Sequence, residues 1–86
     1  MNLKMLLAIW KREFGGRPVT SSALQWQARN GNTALAEVFG HPLPSSKSLG
    51  RLLAARAGKA EAGLQLVRCA GRAGNCALWR LERVNN

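Results

Sequence analysis

Leu3, Leu6, Leu7, Trp10 and Phe14 recur at three- and four-residue intervals, the spacing that lines one side of an α-helix. Lys4, Lys11 and Arg12 fall away from the centre of that stripe, and Gly15-Gly16 gives the backbone freedom a helix exit needs. Arg17-Pro18-Val19-Thr20 reads as short and extended, because Pro18 pushes its predecessor out of helical angles. It is long enough for a one-ladder edge strand. Thr20, Ser21 or Ser22 then caps a second helix reaching about Asn30, with Leu24 and Ala28 one turn apart and Trp26 off their line. Asn30-Gly31-Asn32 breaks that helix. Asn32 caps a short third one, in which Leu35, Val38 and Phe39 repeat the helical spacing before the stiff Gly40-His41-Pro42-Leu43-Pro44 loop.

A fourth helix is expected over residues 45–58. Leu49, Leu52 and Leu53 make its buried stripe, with Ala57 and Ala60 continuing it. At about 100° per residue, Lys47, Arg51, Ala54 and Gly58 fall on the opposite face, which is therefore basic and otherwise small-featured. Arg56 lies beside the apolar stripe and is expected to run its stem along the core edge.

Residues 64–69 and 76–84 alternate as two strands around a Gly71, Gly74 and Asn75 loop. Setting Cys69 across from Cys76 places Leu66 opposite Trp79 and Leu64 opposite Leu81, gathering the large apolar groups on one face. Two reduced thiols, and not a bridge, are the expectation for the cysteines. No repeat, low-complexity tract or linker interrupts the pattern, so residues 1–86 are expected to form one domain. The class is α+β, mostly helical: three to four helices and a small antiparallel hairpin.

Composition adds a partner class to this outline. Hydrophobic residues are 47% of the chain, enough for an ordered core. Thirteen Lys and Arg face four acids, for a net charge of +9. The cations are spread along the chain, so the surface of a folded unit is basic, not a tail. A polyanion is the natural partner, since counterion release drives cations onto phosphate backbones. Anionic membranes and acidic proteins attract the same charge, but no stretch is long enough to span a bilayer. Met1–Trp10 superficially resembles a signal peptide, yet it runs into Lys11-Arg12-Glu13 without a small-residue cleavage site. A core helix of a cytoplasmic protein is the reading.

Chemistry beyond binding finds no support in the residues. Cys69, Cys76 and a distant His41 are too few for a four-ligand zinc site, so no metal and no cofactor are expected. Glu13, Glu37, Glu61 and Glu82 are scattered over four elements and form no acid/base pair. No activated nucleophile is visible either, and the chain is not expected to be an enzyme.

The nucleic-acid candidates are cations on the fourth helix and the hairpin. Arg51 has a planar fork that can read guanine or clamp phosphate; Lys47 and Ser48, near the helix start, suit phosphate contacts. Lys59 suits either a phosphate or the helix C-terminus. Arg72, at the loop tip, has little structural work; Arg68 and Arg80 compete with pairing to an acid such as Glu82. Arg17 and Arg29 have no defined direction. Trp10 and Trp79 fit apolar stripes and belong to the core, whereas Trp26 is open to other roles.

The run Trp10-Lys11-Arg12-Glu13-Phe14-Gly15-Gly16-Arg17-Pro18-Val19-Thr20 resembles the start of small winged-helix domains at the C-terminal ends of phage and plasmid primase/helicase-type replication proteins. Ser48-Leu49-Gly50-Arg51-Leu52-Leu53, Gly63-Leu64-Gln65-Leu66 and Trp79-Arg80-Leu81 continue the similarity over most of the chain. The resemblance implies a winged helix-turn-helix in a mobile-element, DNA-associated setting, and carries over no catalytic residue. No Gly-x-x-x-x-Gly-Lys-Ser/Thr signature is present, so the expected role is a regulator or replication accessory. DNA is expected over RNA, with duplex as the form that admits a helix. The alternative is a protein-interaction module, such as a small phage-type inhibitor using the same basic surface on a protein partner. No zipper-like seam points to an oligomer.

Overall fold

A computed structural model describes residues 2–73 and 76–84. Among them are four helices and a three-stranded antiparallel sheet: α1 (Leu3–Phe14), β1 (Val19–Thr20), α2 (Ser21–Arg29), α3 (Thr33–Phe39), α4 (Ser46–Arg56), β2 (Leu64–Ala73) and β3 (Cys76–Arg83). β3 is central, with β1 on one side and β2 on the other. The class is α+β.

The helices start where side-chain oxygens meet otherwise unpaired backbone N–H groups. Asn2 Oδ1 accepts from Met5 N–H at 3.2 Å, Thr20 Oγ1 from Ala23 N–H at 3.0 Å, Asn32 Oδ1 from Leu35 N–H at 3.1 Å, and Ser45 Oγ from Ser48 N–H at 3.2 Å. α1 ends at Gly15, whose φ of 59° lets the chain leave the helix.

Every element contributes to one core cluster. Leu6, Leu7 and Trp10 come from α1, Leu24 from α2, Leu35 from α3, Leu49 and Leu53 from α4, and Leu66, Trp79 and Leu81 from the sheet. Trp10 and Phe14 meet edge to face at 5.7 Å, a favoured aromatic geometry. Trp26 is 61% exposed, at the part of α2 turned away from buried Leu24 and Ala28.

The hairpin register departs from the expected one by two residues up to Arg68 and by four from Arg72 on. Leu66 pairs with Leu81 and Arg68 with Trp79, and beyond an irregularity between Arg68 and Arg72 the pairs are Arg72 with Ala77 and Ala73 with Cys76. A shift of two leaves every side chain on its own face, so the apolar pattern is equally satisfied by either register. The strands therefore extend through Ala73. Gly71, with φ 84°, lies inside β2 at the irregularity, not in a loop; Gly74 and Asn75 lie outside the described residues. Cys69 is a free thiol, and the backbone partner of Cys76 is Ala73, not Cys69.

α4 also ends earlier than expected, at Arg56. Ala57 turns extended at ψ 138°, and the Gly58 N–H donates to Leu66 O at 2.9 Å, drawing the chain toward β2. Ala60 is exposed and adds nothing to the stripe. A tight turn then opens β2: Glu61 and Leu64 exchange backbone hydrogen bonds, while Ala62 and Gly63 have φ of 53° and 76°. Positive φ at both central positions belongs to hairpin turns whose twist matches the strands.

Candidate nucleic-acid interface

α4 presents two unlike sides because of its sequence alone. Leu49 and Leu53 are buried against the core, and Leu52 is half-buried. Lys47, Arg51 and Ala54 are exposed on the other side. That side forms one wall of a cleft of about 740 Å³, whose second wall is the sheet at Arg68, Ala77 and Trp79. Ser21, at the start of α2, also lines it.

The sheet enters the cleft through its pairing. Arg68 is the cross-strand partner of Trp79, and the next pair on the same face is Leu66 with Leu81. That face covers the core at the leucines and emerges beside α4 at Arg68, which is exposed. Strand alternation thus brings Arg68 to the same cleft as Lys47 and Arg51.

The cleft is cationic at its rim and apolar within. Among the described residues, neither Lys47, Arg51 nor Arg68 has a hydrogen-bond or ion-pair partner. No acid among the described residues lines the cleft. Two of the acids are engaged elsewhere, Glu13 with Arg12 at 3.4 Å and Glu82 with Arg80 at 3.6 Å. Three like charges on a shared concavity hold an anion-attracting potential that surface ion pairs do not cancel.

The remaining candidates lie apart from this group. Ser48 is exposed at the start of α4, but it serves the cap: its N–H donates to Ser45 Oγ, and its own Oγ accepts from Ser45 Oγ at 3.2 Å. Lys59 is exposed beyond the helix end. Arg80 pairs with Val67 and so lies on the opposite face of the sheet from Arg68, beside Glu82. Arg72 sits in β2 opposite Ala77, with its side chain outside the described part of the structure. Arg17 is turned back onto α1, donating to the carbonyls of Phe14 and Glu13 at 3.2 and 3.3 Å.

Gly50, Ala57, Ala77 and Trp79 were not legible as site residues. Gly50 did carry a signal: a glycine inside a helix is destabilising by roughly 0.5–1 kcal/mol relative to alanine. Packing does not demand it, since a Cβ there would meet only Ser21 Oγ at an ordinary 3.7 Å.

No group of three or more His, Cys, Asp or Glu able to hold a metal occurs among the described residues. No described helix is long and apolar enough to cross a membrane. Compared with models of protein families, with curated proteins and with solved structures, the chain matches none.

Proposed function

We propose that the chain is a winged-helix-type module that binds nucleic acid, with duplex DNA as its ligand, α4 as the helix presented to the major groove and the β2–β3 hairpin as the wing. The observation that carries this reading is the convergence of Lys47, Arg51 and Arg68 on one cleft that no acid among the described residues lines. The element order and the β1–β3–β2 sheet support it: they set a basic helix beside a hairpin, as a helix-turn-helix variant with a wing requires. A net charge of +9 supplies attraction that does not depend on sequence. The role that fits is a regulator or replication accessory of a phage or plasmid, without catalysis of its own.

The test is binding of the Arg51→Ala/Arg72→Ala variant to duplex DNA at fixed low salt. Loss of at least about tenfold in affinity, with an unchanged circular-dichroism spectrum, supports the assignment; each arginine-to-phosphate or arginine-to-base contact is of the size that produces such a loss. Affinity equal to the parent's contradicts it.

A second reading, a protein-interaction module, draws on Trp26, whose exposed indole is the kind of side chain that anchors protein interfaces. A stoichiometric complex with a host protein that Trp26→Ala abolishes, together with no affinity for any nucleic acid, would favour it.

A further inference from the structure

We infer that the cleft between α4 and the sheet receives unpaired nucleotides, so that the preferred ligand is a DNA duplex continued by a single-stranded tail. This rests on the nucleic-acid reading and specifies which form of nucleic acid the site selects.

The cations and the apolar lining call for different parts of one ligand. Lys47, Arg51 and Arg68 complement phosphates. The rest of the lining, which includes Gly50, Ala54, Ala57, Ala77 and Trp79, is mostly apolar. A duplex engages the cations but leaves the apolar surface unfilled: its grooves display hydrogen-bonding base edges, and its base faces are stacked out of reach. An unpaired base exposes a flat apolar face at the spacing of the phosphates that flank it. Single-strand recognition joins phosphate-binding cations to surfaces that take base faces, commonly aromatic ones; here that surface is small and aliphatic.

The helix side of the cleft points to an occupant as well. Gly50 interrupts the helical preference of α4 where packing does not demand a glycine, and it lies on the cleft wall. A small wall keeps space open for a ligand. Trp79, 3% exposed, also lines the cleft as a closed apolar part of it. At about 740 Å³ the cleft is also of the size that takes a small planar ligand.

The experiment is a competition by fluorescence anisotropy among three DNAs of equal total phosphate number: a blunt duplex, the same duplex shortened and given a single-stranded tail, and a free single strand. The expected result is that the tailed duplex binds about tenfold tighter than the blunt one, a gain of the size that burying part of one base's apolar face supplies. Ala54→Leu fills the cleft from the helix side and reduces that preference to less than about twofold; Ala77→Leu fills it from the sheet side and does the same, should the first variant fail to fold. Equal affinity for blunt and tailed duplexes in the parent protein overturns this inference and leaves the duplex reading standing. Retention of the full preference in both folded variants overturns the assignment to the cleft. Absence of binding to all three DNAs overturns this inference and the nucleic-acid reading together.

Discussion

Replacing Leu53 with alanine isolates the packing that holds α4 in place. Leu53 is 0% exposed and belongs to the core cluster, while its neighbour Leu52 is half-buried at the cluster's edge. Both are leucines on the same helix, so the helix-propensity change is the same for both and cancels in the comparison. Deleting the buried atoms of Leu53 removes about 2.4 kcal/mol of transfer free energy at roughly 0.8 kcal/mol per methylene. The cavity left behind raises the total to about 3–4 kcal/mol, inside the usual span for buried leucines. Leu52→Ala loses about half of the transfer term and little cavity term, about 1 kcal/mol. A protein of this size has a total stability of about 4–13 kcal/mol, so the first change is large and the second small. In melting temperature the contrast is about 12–30 °C against about 4–8 °C. Urea denaturation followed by tryptophan emission reads both, because Trp10 and Trp79 are buried and report the core. A cost for Leu52→Ala equal to or above that of Leu53→Ala would refute the placement of α4 on the core.

Three further substitutions test local backbone and cap geometry. Gly40, with φ 85° and ψ 177°, occupies a region essentially reserved for glycine, so Gly40→Ala is expected to lower stability by about 1–3 kcal/mol in the same denaturation assay. Ala62→Gly has the opposite sign: Ala62 holds φ 53° in its turn, and relieving it raises stability by about 1 kcal/mol, visible as a higher urea midpoint. Ser45→Ala removes the Oγ that accepts from the Ser48 N–H and costs about 1 kcal/mol. Amide hydrogen exchange should show that loss concentrated in the first turn of α4.

The helices were legible because their periods, and most of their starts and stops, are local. The 3-6-7-10-14 stripe, the cap among Thr20, Ser21 and Ser22, the cap at Asn32, the start of α4 near Ser45 and the exit at Gly15 are decided by local interactions, while the cap at Asn2 was not read. The edge strand at Val19–Thr20 was legible from Pro18 for the same reason. The hairpin register was not. Apolar alternation sets which face a residue occupies, and a two-residue slip preserves every face; the alternation also carries no sign of the irregularity between Arg68 and Arg72. The end of α4 at Arg56 was hidden too, because it depends on Gly58 finding the carbonyl of Leu66, a contact between distant segments. The same holds for the cleft. Lys47 and Arg51 could be placed on one helical face from their spacing, but Arg68 joins them only through sheet pairing with Trp79. Arg80, two residues before its partner Glu82, was equally plausible in sequence and lies on the other face.

The central claim is that the cationic cleft engages phosphates, and the salt dependence of DNA binding tests it most directly. Anisotropy titrations of a random-sequence duplex at several salt concentrations, for the parent and for Lys47→Ala/Arg51→Ala, give the slope of log affinity against log salt. The expected result is a slope of several units for the parent and a slope shallower by about 1.8 for the double variant, about 0.9 for each phosphate contact removed. No binding at low salt, or a slope that the double substitution leaves unchanged, would contradict it.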